Sequence, residues 1–226
     1  MPVSDLHAGA VRRTWWAMPL DPAPLLSRVP MVPVLTIERV DQAVPLARAL
    51  AAGGLPLLEV ALRTAASADA ARAVIREVPD AVVGLGTVTQ VSDIDLARDI
   101  GAKFLVTPGT PPELAAALAR AEVPAIPGCA TPGEAIMLAG HGFRVLKFFP
   151  ASSAGGLEFL RQIAGPMPQL RFMPSGGVKE VNAAEYLAQP NVIAVSGTWV
   201  TPDAALAAGD FATITALARA AASLRR

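Results

Sequence analysis

Residues 40–64 read VDQAVPLARALAAGGLPLLEVALRT. An Ala-rich amphipathic stretch over 40–52 predicts a helix, and the apolar run Pro56–Arg63 that follows predicts a strand. The same alternation recurs along the chain. Strand-like runs are Met31–Ile37, Pro56–Arg63, Ala81–Val88, Phe104–Pro108, Ala125–Gly128, Val145–Pro150, Arg171–Ser175 and Val192–Gly197. Helix-like stretches lie between them at 40–52, 66–78, 91–101, 111–121, 132–140, 156–164 and 180–188, with a last helix over about 204–223. Several of the strands are apolar on both faces, as in a parallel sheet covered by helices. Eight such units in one domain fit an α/β fold of the (β/α)8 TIM-barrel type. A doubly wound open sheet is the alternative. No G-x-G-x-x-G follows the first strand and no G-x-x-x-x-G-K-[ST] occurs, so dinucleotide and P-loop readings have no motif support.

The chain has 226 residues, is 53% hydrophobic and carries no net charge. That composition builds one sizeable core and argues against a broad grip on nucleic acid or an anionic membrane. A single cysteine, Cys129, excludes an intrachain disulfide and fits a reducing cytoplasm. No Cys/His cluster has the spacing of metal ligands. Residues 1–27 are Pro-rich and read as an N-terminal arm ahead of a barrel domain over 28–226. Arg12-Arg13 and Trp15-Trp16 resemble the start of an export signal, but Pro19, Asp21, Pro22 and Pro24 interrupt the apolar segment such a signal needs. No apolar run approaches the ~18 residues of a membrane span.

Lysine usage directs attention to one position. Among 19 lysines and arginines only Lys103, Lys147 and Lys179 are lysines. Lys103 precedes a strand and Lys179 follows a Gly-Gly loop, so both are expected to face solvent. Lys147 sits inside Val-Leu-Lys-Phe-Phe-Pro (145–150). An ammonium is costly to bury, whereas a neutral amine is a nucleophile suited to Schiff-base chemistry. A lysine snorkelling from the strand, or acting as a point charge for phosphate, is the plainer reading. Glu59 is the one carboxylate within the strand-like runs, and at a period of two it shares a face with Arg63. An enclosed carboxyl is a candidate proton carrier, and Arg63 a candidate clamp for a substrate carboxylate. A structural ion pair explains Glu59 equally well. In a barrel, chemistry belongs at the C-terminal strand ends. Thr87 and Pro108 lie at two of these. The last two ends carry Ser175-Gly176-Gly177 and Ser196-Gly197-Thr198, where glycines let backbone N–H groups converge on an anion. His141, at a helix end between Gly140 and Gly142, reads as a cap, and Cys129 and Trp199 as packing residues.

These residues carry a family resemblance. VPVLTI (32–37), AVPLARALAAGGLPLLEVALRT (43–64), EVPDAVVGLGTV (77–88), TPG (107–109), IPGCATPGE (126–134), LKFFPA (146–151), GG (155–156), RFMPSGG (171–177) and SGTWV (196–200) occur in order and with matching spacing. The chain resembles the bacterial 2-keto-3-deoxy-6-phosphogluconate (KDPG) aldolases, which also act as 4-hydroxy-2-oxoglutarate (KHG) aldolases, over about residues 28–224. The resemblance implies a class I aldolase cleaving KDPG to pyruvate and glyceraldehyde 3-phosphate. It makes Lys147 the Schiff-base lysine and Glu59 the general acid/base. Arg63, Thr87 and Pro108 match the pyruvate part of the site, with Phe149 beside the lysine. Ser175, Gly176, Gly177 and Thr198 match the phosphate loops. It further implies a homotrimer with no metal or organic cofactor, acting on a small-molecule 2-keto acid and a phosphorylated aldehyde. Ser175 and Thr198 stand where relatives often have Thr and Ser, and each keeps a hydroxyl. WWAMPL (15–20) has no counterpart. The open alternatives are the same chemistry on 4-hydroxy-2-oxoglutarate or 2-keto-3-deoxy-6-phosphogalactonate, a non-aldolase phosphate-binding barrel enzyme, and a silent binding protein.

Overall fold

The structure, a computed structural model, describes residues 18–224; most of the arm, including Arg12-Arg13 and Trp15-Trp16, lies outside them. A short helix α1 (Ala23–Leu26) precedes β1 (Met31–Leu35), α2 (Val40–Ala52), β2 (Leu57–Ala61) and α3 (Ser67–Glu77). Then come β3 (Val82–Gly86), α4 (Ser92–Ile100), β4 (Leu105–Val106), α5 (Pro112–Arg120), β5 (Ala125–Ile126) and β6 (Gly128–Cys129). The chain continues through α6 (Pro132–Gly140), β7 (Val145–Phe148), α7 (Gly156–Ala164), β8 (Arg171–Pro174), α8 (Glu180–Leu187) and β9 (Val195–Gly197), and ends with α9 (Asp203–Ala208) and α10 (Phe211–Ala222). All the strand pairs are parallel. One ladder runs β5-β4-β3-β2-β1-β9 and a second β6-β7-β8.

Two expectations are corrected here. The fifth strand-like run is split, because Pro127 has no N–H to give to a ladder. Its carbonyl still accepts from Lys147 N at 2.9 Å, so the break sits beside the lysine strand. The last helix is also two. α9 ends at Gly209, and the Asp210 side chain accepts from Thr213 N to start α10 afresh. Elsewhere the helices hold their expected bounds to within a residue or two. α6 begins at a capping box in which Thr131 and Glu134 each satisfy an otherwise orphaned N–H.

Alternation along the strands sorts the core into two clusters. Leu58 and Val60 of β2, Leu105 of β4, Leu146 and Phe148 of β7 and Phe172 of β8 pack with helix residues such as Leu46 and Leu50. Their neighbours Leu57, Val106, Val145 and Met173 face the other way. With Phe104, Val32 and Ile193 they form a second cluster that the covering helices do not enter. Leu26 of α1, fully buried, joins this inner cluster. Glu59 is two residues beyond Leu57, and Lys147 two beyond Val145. Both therefore point to the inner face, above the second cluster.

Leu26→Ala is expected to lower stability by about 2–5 kcal/mol, the range for emptying a closed core site. A denaturant midpoint unchanged from the parent protein would show that α1 is not anchored in the core.

Candidate active site

Parallel pairing brings the inner faces of distant strands together. Lys147 Nζ donates to Glu59 Oε1 at 2.9 Å across 88 residues of sequence. Their side chains are 4% and 0% exposed. Each charge would be expensive alone in an apolar setting, and the pairing offsets that cost. Glu59 Oε2 is buried and has no hydrogen-bond partner among the described residues. The pair thus holds one carboxylate oxygen on the amine, while the second has no protein partner among the described residues.

The surrounding residues come from several strand ends. Phe149 follows the lysine strand, and its ring centroid lies 5.5 Å from Lys147 Nζ. Gly176 lies against that ring: a Cβ built on it would sit 3.1 Å from Phe149 carbons. Gly176 and Gly177 have φ of 86° and 81°, a left-handed pair that glycine adopts without cost. Ala151 N donates to Ser175 O and Ser152 N to Gly176 O, which ties this loop to the end of β7. Ser196 Oγ donates to Ser175 Oγ at 3.3 Å and so joins the loops after β8 and β9. Thr198 is exposed on the second of these.

Arg63 lies outside the strand expected to run from Pro56 to Arg63. β2 ends at Ala61, and Arg63 N donates back to Ala61 O at 2.8 Å. That tight turn ends the alternation, so Arg63 is exposed while Glu59 is fully buried. Arg63 Nε donates to Thr87 Oγ1 at 3.1 Å. Thr87 itself has φ 57°, a left-handed conformation that costs a β-branched residue about 1–2 kcal/mol. Such strain is retained where the surroundings impose it, and here it sits at the rim of the site.

Three hydroxyls to which the sequence assigns no pairing support the site. Thr107 is fully buried. Its Oγ1 accepts from Gly128 N at 2.7 Å and lies 2.7 Å from Thr110 Oγ1, which donates to Gly128 O at 3.0 Å. The two hydroxyls bridge the gap that Pro127 leaves in the ladder, and Gly128 is the register partner of Lys147. Ser196, also fully buried, is the third. The signal that could have found them is a hydroxyl residue within an apolar strand run, which needs a partner once buried. Half-buried Pro108 packs its carbonyl close to Gly128. Beside it a cleft of about 650 Å³ opens between Pro108, Thr110, Glu134 and Met137; it does not reach the Lys147–Glu59 pair. Cys129 lies buried in β6, where loss of solvent and then the Glu134 charge push its thiol up to about 12, out of nucleophilic use. Lys103 and Lys179 are exposed, and His141 caps α6. Among the described residues no group of His, Cys, Asp and Glu is placed to hold a metal ion, and no helix is long and apolar enough to cross a membrane.

Comparison with known proteins identifies the family. The family model for KDPG and KHG aldolase matches residues 24–217. The KHG/KDPG aldolase of Escherichia coli is 43% identical over 197 residues, covering 87% of this chain and 92% of the relative. Among solved structures, the KDPG aldolase of Legionella pneumophila, with pyruvate captured as a covalent carbinolamine intermediate, superposes with a TM-score of 0.88. It is 39% identical and covers 90% of this chain and 99% of its own. The KDPG aldolase of Zymomonas mobilis with 3-phosphoglycerate gives 0.84 at 39% identity, with 90% and 96% coverage. A buried lysine paired with a carboxylate at the strand ends of a parallel α/β sheet, matched along nearly the whole domain, places this chain in the KDPG and KHG aldolase family.

Proposed function

We propose that the protein is a class I aldolase that reversibly cleaves KDPG to pyruvate and glyceraldehyde 3-phosphate. The observation that carries this reading is the contact of Lys147 Nζ with Glu59 Oε1 on the inner face, with Glu59 Oε2 left as an acceptor. A nucleophilic amine held against a proton carrier is what imine formation requires. The carbinolamine in the Legionella relative is the first adduct on that route.

In the forward direction Lys147 hands a proton to Glu59 and, as the free amine, adds to the C2 ketone; a proton of the added nitrogen moves to the former ketone oxygen to give the carbinolamine. Glu59 delivers the proton that lets the carbinolamine lose water, and an iminium forms. Glu59 then takes the proton from the C4 hydroxyl. The C3–C4 bond breaks, its electron pair flows into the iminium, and the aldehyde leaves. Protonation of the enamine and hydrolysis release pyruvate and restore the amine. Arg63, oriented through Nε by Thr87, presents its remaining N–H groups to the substrate carboxylate. Pro108 and Phe149 bound the pyruvate part. Ser175, Gly176, Gly177 and Thr198 receive the phosphate, a role supported by the left-handed glycine pair and by the 3-phosphoglycerate in the Zymomonas relative. The E. coli relative is named for both substrates, which favours 4-hydroxy-2-oxoglutarate as a second substrate of the same site.

We also read the sheet as a closed (β/α)8 barrel over 28–226, with residues 1–27 as an added arm. Two joins support closure. β5 continues into β6 through Pro127, and Phe172 of β8 bonds across to Asn191 and Ile193 ahead of β9. A cytoplasmic homotrimer follows from the family resemblance and fits the lone, buried cysteine.

Borohydride with pyruvate is expected to add one reduced pyruvate to Lys147, mapped by peptide mass, and Lys147→Arg to take none. An adduct on Lys103 or Lys179, or no adduct, refutes the assignment. Glu59→Gln is expected to retain trapping but lose about 10²–10⁴-fold in turnover, the usual contribution of a positioned proton carrier. Wild-type turnover in steady-state assays would remove Glu59 from the mechanism. Light scattering is expected to give three times the 23.3 kDa chain mass, and a monomer would refute the trimer.

A further inference from the structure

β3 reads Val82-Val83-Gly84-Leu85-Gly86. Gly84 and Gly86 are two apart and share a face, while Val83 and Leu85 pack against the helix layer. Neither glycine has a left-handed φ, so the backbone does not call for glycine at either position. Space does. A Cβ built on Gly84 would fall 2.5 Å from Phe104 Cγ. One built on Gly86 would fall 2.5 Å from Glu59 Cγ and 2.8 Å from its Cδ, and nearer still to Oε1. The Glu59 carboxylate has little room to yield. It is fully buried, it is held by Lys147, and its strand is registered on β3 from Leu57↔Val82 to Ala61↔Gly86.

We infer that Gly86 is a positioning residue for the aldol chemistry: the volume left by its missing side chain is the berth in which the Glu59 carboxylate lies against Lys147 Nζ. Gly84 does the same for an apolar ring one layer down and has no part in the reaction. The inference rests on the catalytic reading of the Lys147–Glu59 pair and adds a third strand to it. A methyl group at 86 drives the carboxylate away from the amine, and displacements of about 1 Å in such a contact cost ~10²-fold in rate.

The test compares Gly86→Ala with Gly84→Ala, and repeats Gly86→Ala in a Glu59→Ala background. Gly86→Ala is expected to reduce kcat about 10²-fold and to change the pH profile of pyruvate–borohydride trapping on Lys147. Gly84→Ala is expected to lower Tm while leaving that profile and the KM-against-kcat balance as in the parent. In the Glu59→Ala background the stability penalty of Gly86→Ala should disappear, because the berth is empty. Where Gly86→Ala alone does not fold, the double variant is expected to match Glu59→Ala in stability. A parent-like kcat and pH profile in Gly86→Ala, or an equal stability penalty in both backgrounds, overturns the inference. Failure to trap pyruvate on parental Lys147 would refute the aldolase reading instead, and the stability cycle would still report on the Gly86–Glu59 contact.

Discussion

An ammonium and a carboxylate 2.9 Å apart on the inner face of an apolar parallel sheet govern this structure. Neither charge is tolerable there alone, since removing one member of a buried pair typically costs about 3–5 kcal/mol. The strands must therefore keep β2 and β7 in a fixed relation although no ladder joins them directly. That relation is transmitted in both directions around the sheet. On one side it passes through β3, β4 and the Thr107–Thr110 hydroxyls to Gly128, the register partner of Lys147. On the other it passes through β1, β9 and the backbone bonds of Phe172 to β8.

The two core clusters support the same arrangement in different ways. The outer cluster, where strands meet helices, is built of large aliphatic and aromatic side chains and sets the strand spacing. The inner cluster fills the lower part of the sheet interior, with Leu26 of α1 included. The inner face changes character within two residues, from Leu57 and Val145 to Glu59 and Lys147. The apolar layer beneath excludes water from below the pair. The loops after β7, β8 and β9 surround it from above through Phe149, Gly176 and the Ser175–Ser196 contact. The Lys147–Glu59 pair thus lies at the boundary between a packed interior and a polar rim.

Much of this was legible in the chain. Helices α2, α6 and α7 have the bounds their periodicity predicts, because amphipathic spacing and, for α6, a capping box act over a few residues. The oddity of a lysine inside an apolar strand was equally local. What went unread depends on neighbours remote in sequence or on single backbone groups. Pro127 splits a strand that reads as continuous, since its missing N–H matters only once a partner strand is in place. Gly209 and Asp210 divide an apolar pattern that by itself continues from 204 to 223. Arg63 lies beyond the end of β2 because the ladder stops at Ala61 and a turn begins, which alternation alone does not reveal. Thr107 and Ser196 lie in strand-end motifs that the sequence singles out, but the partners of their hydroxyls are set only by burial.

The sequence by itself determined the element types, the alternation that makes the sheet parallel, the identity of the unusual lysine and carboxylate, and the family. These follow from local spacing and from residue types that solvent partitioning places inside or outside. Only the tertiary structure decided that Lys147 and Glu59 meet, that the second carboxylate oxygen has no protein partner among the described residues, and that Gly86 leaves the space in which this happens. Those facts depend on the register of strands 88 residues apart in the chain and on contacts of a few tenths of an ångström. No local pattern encodes distances of that kind; they arise when parallel pairing and close packing bring separate inner faces together.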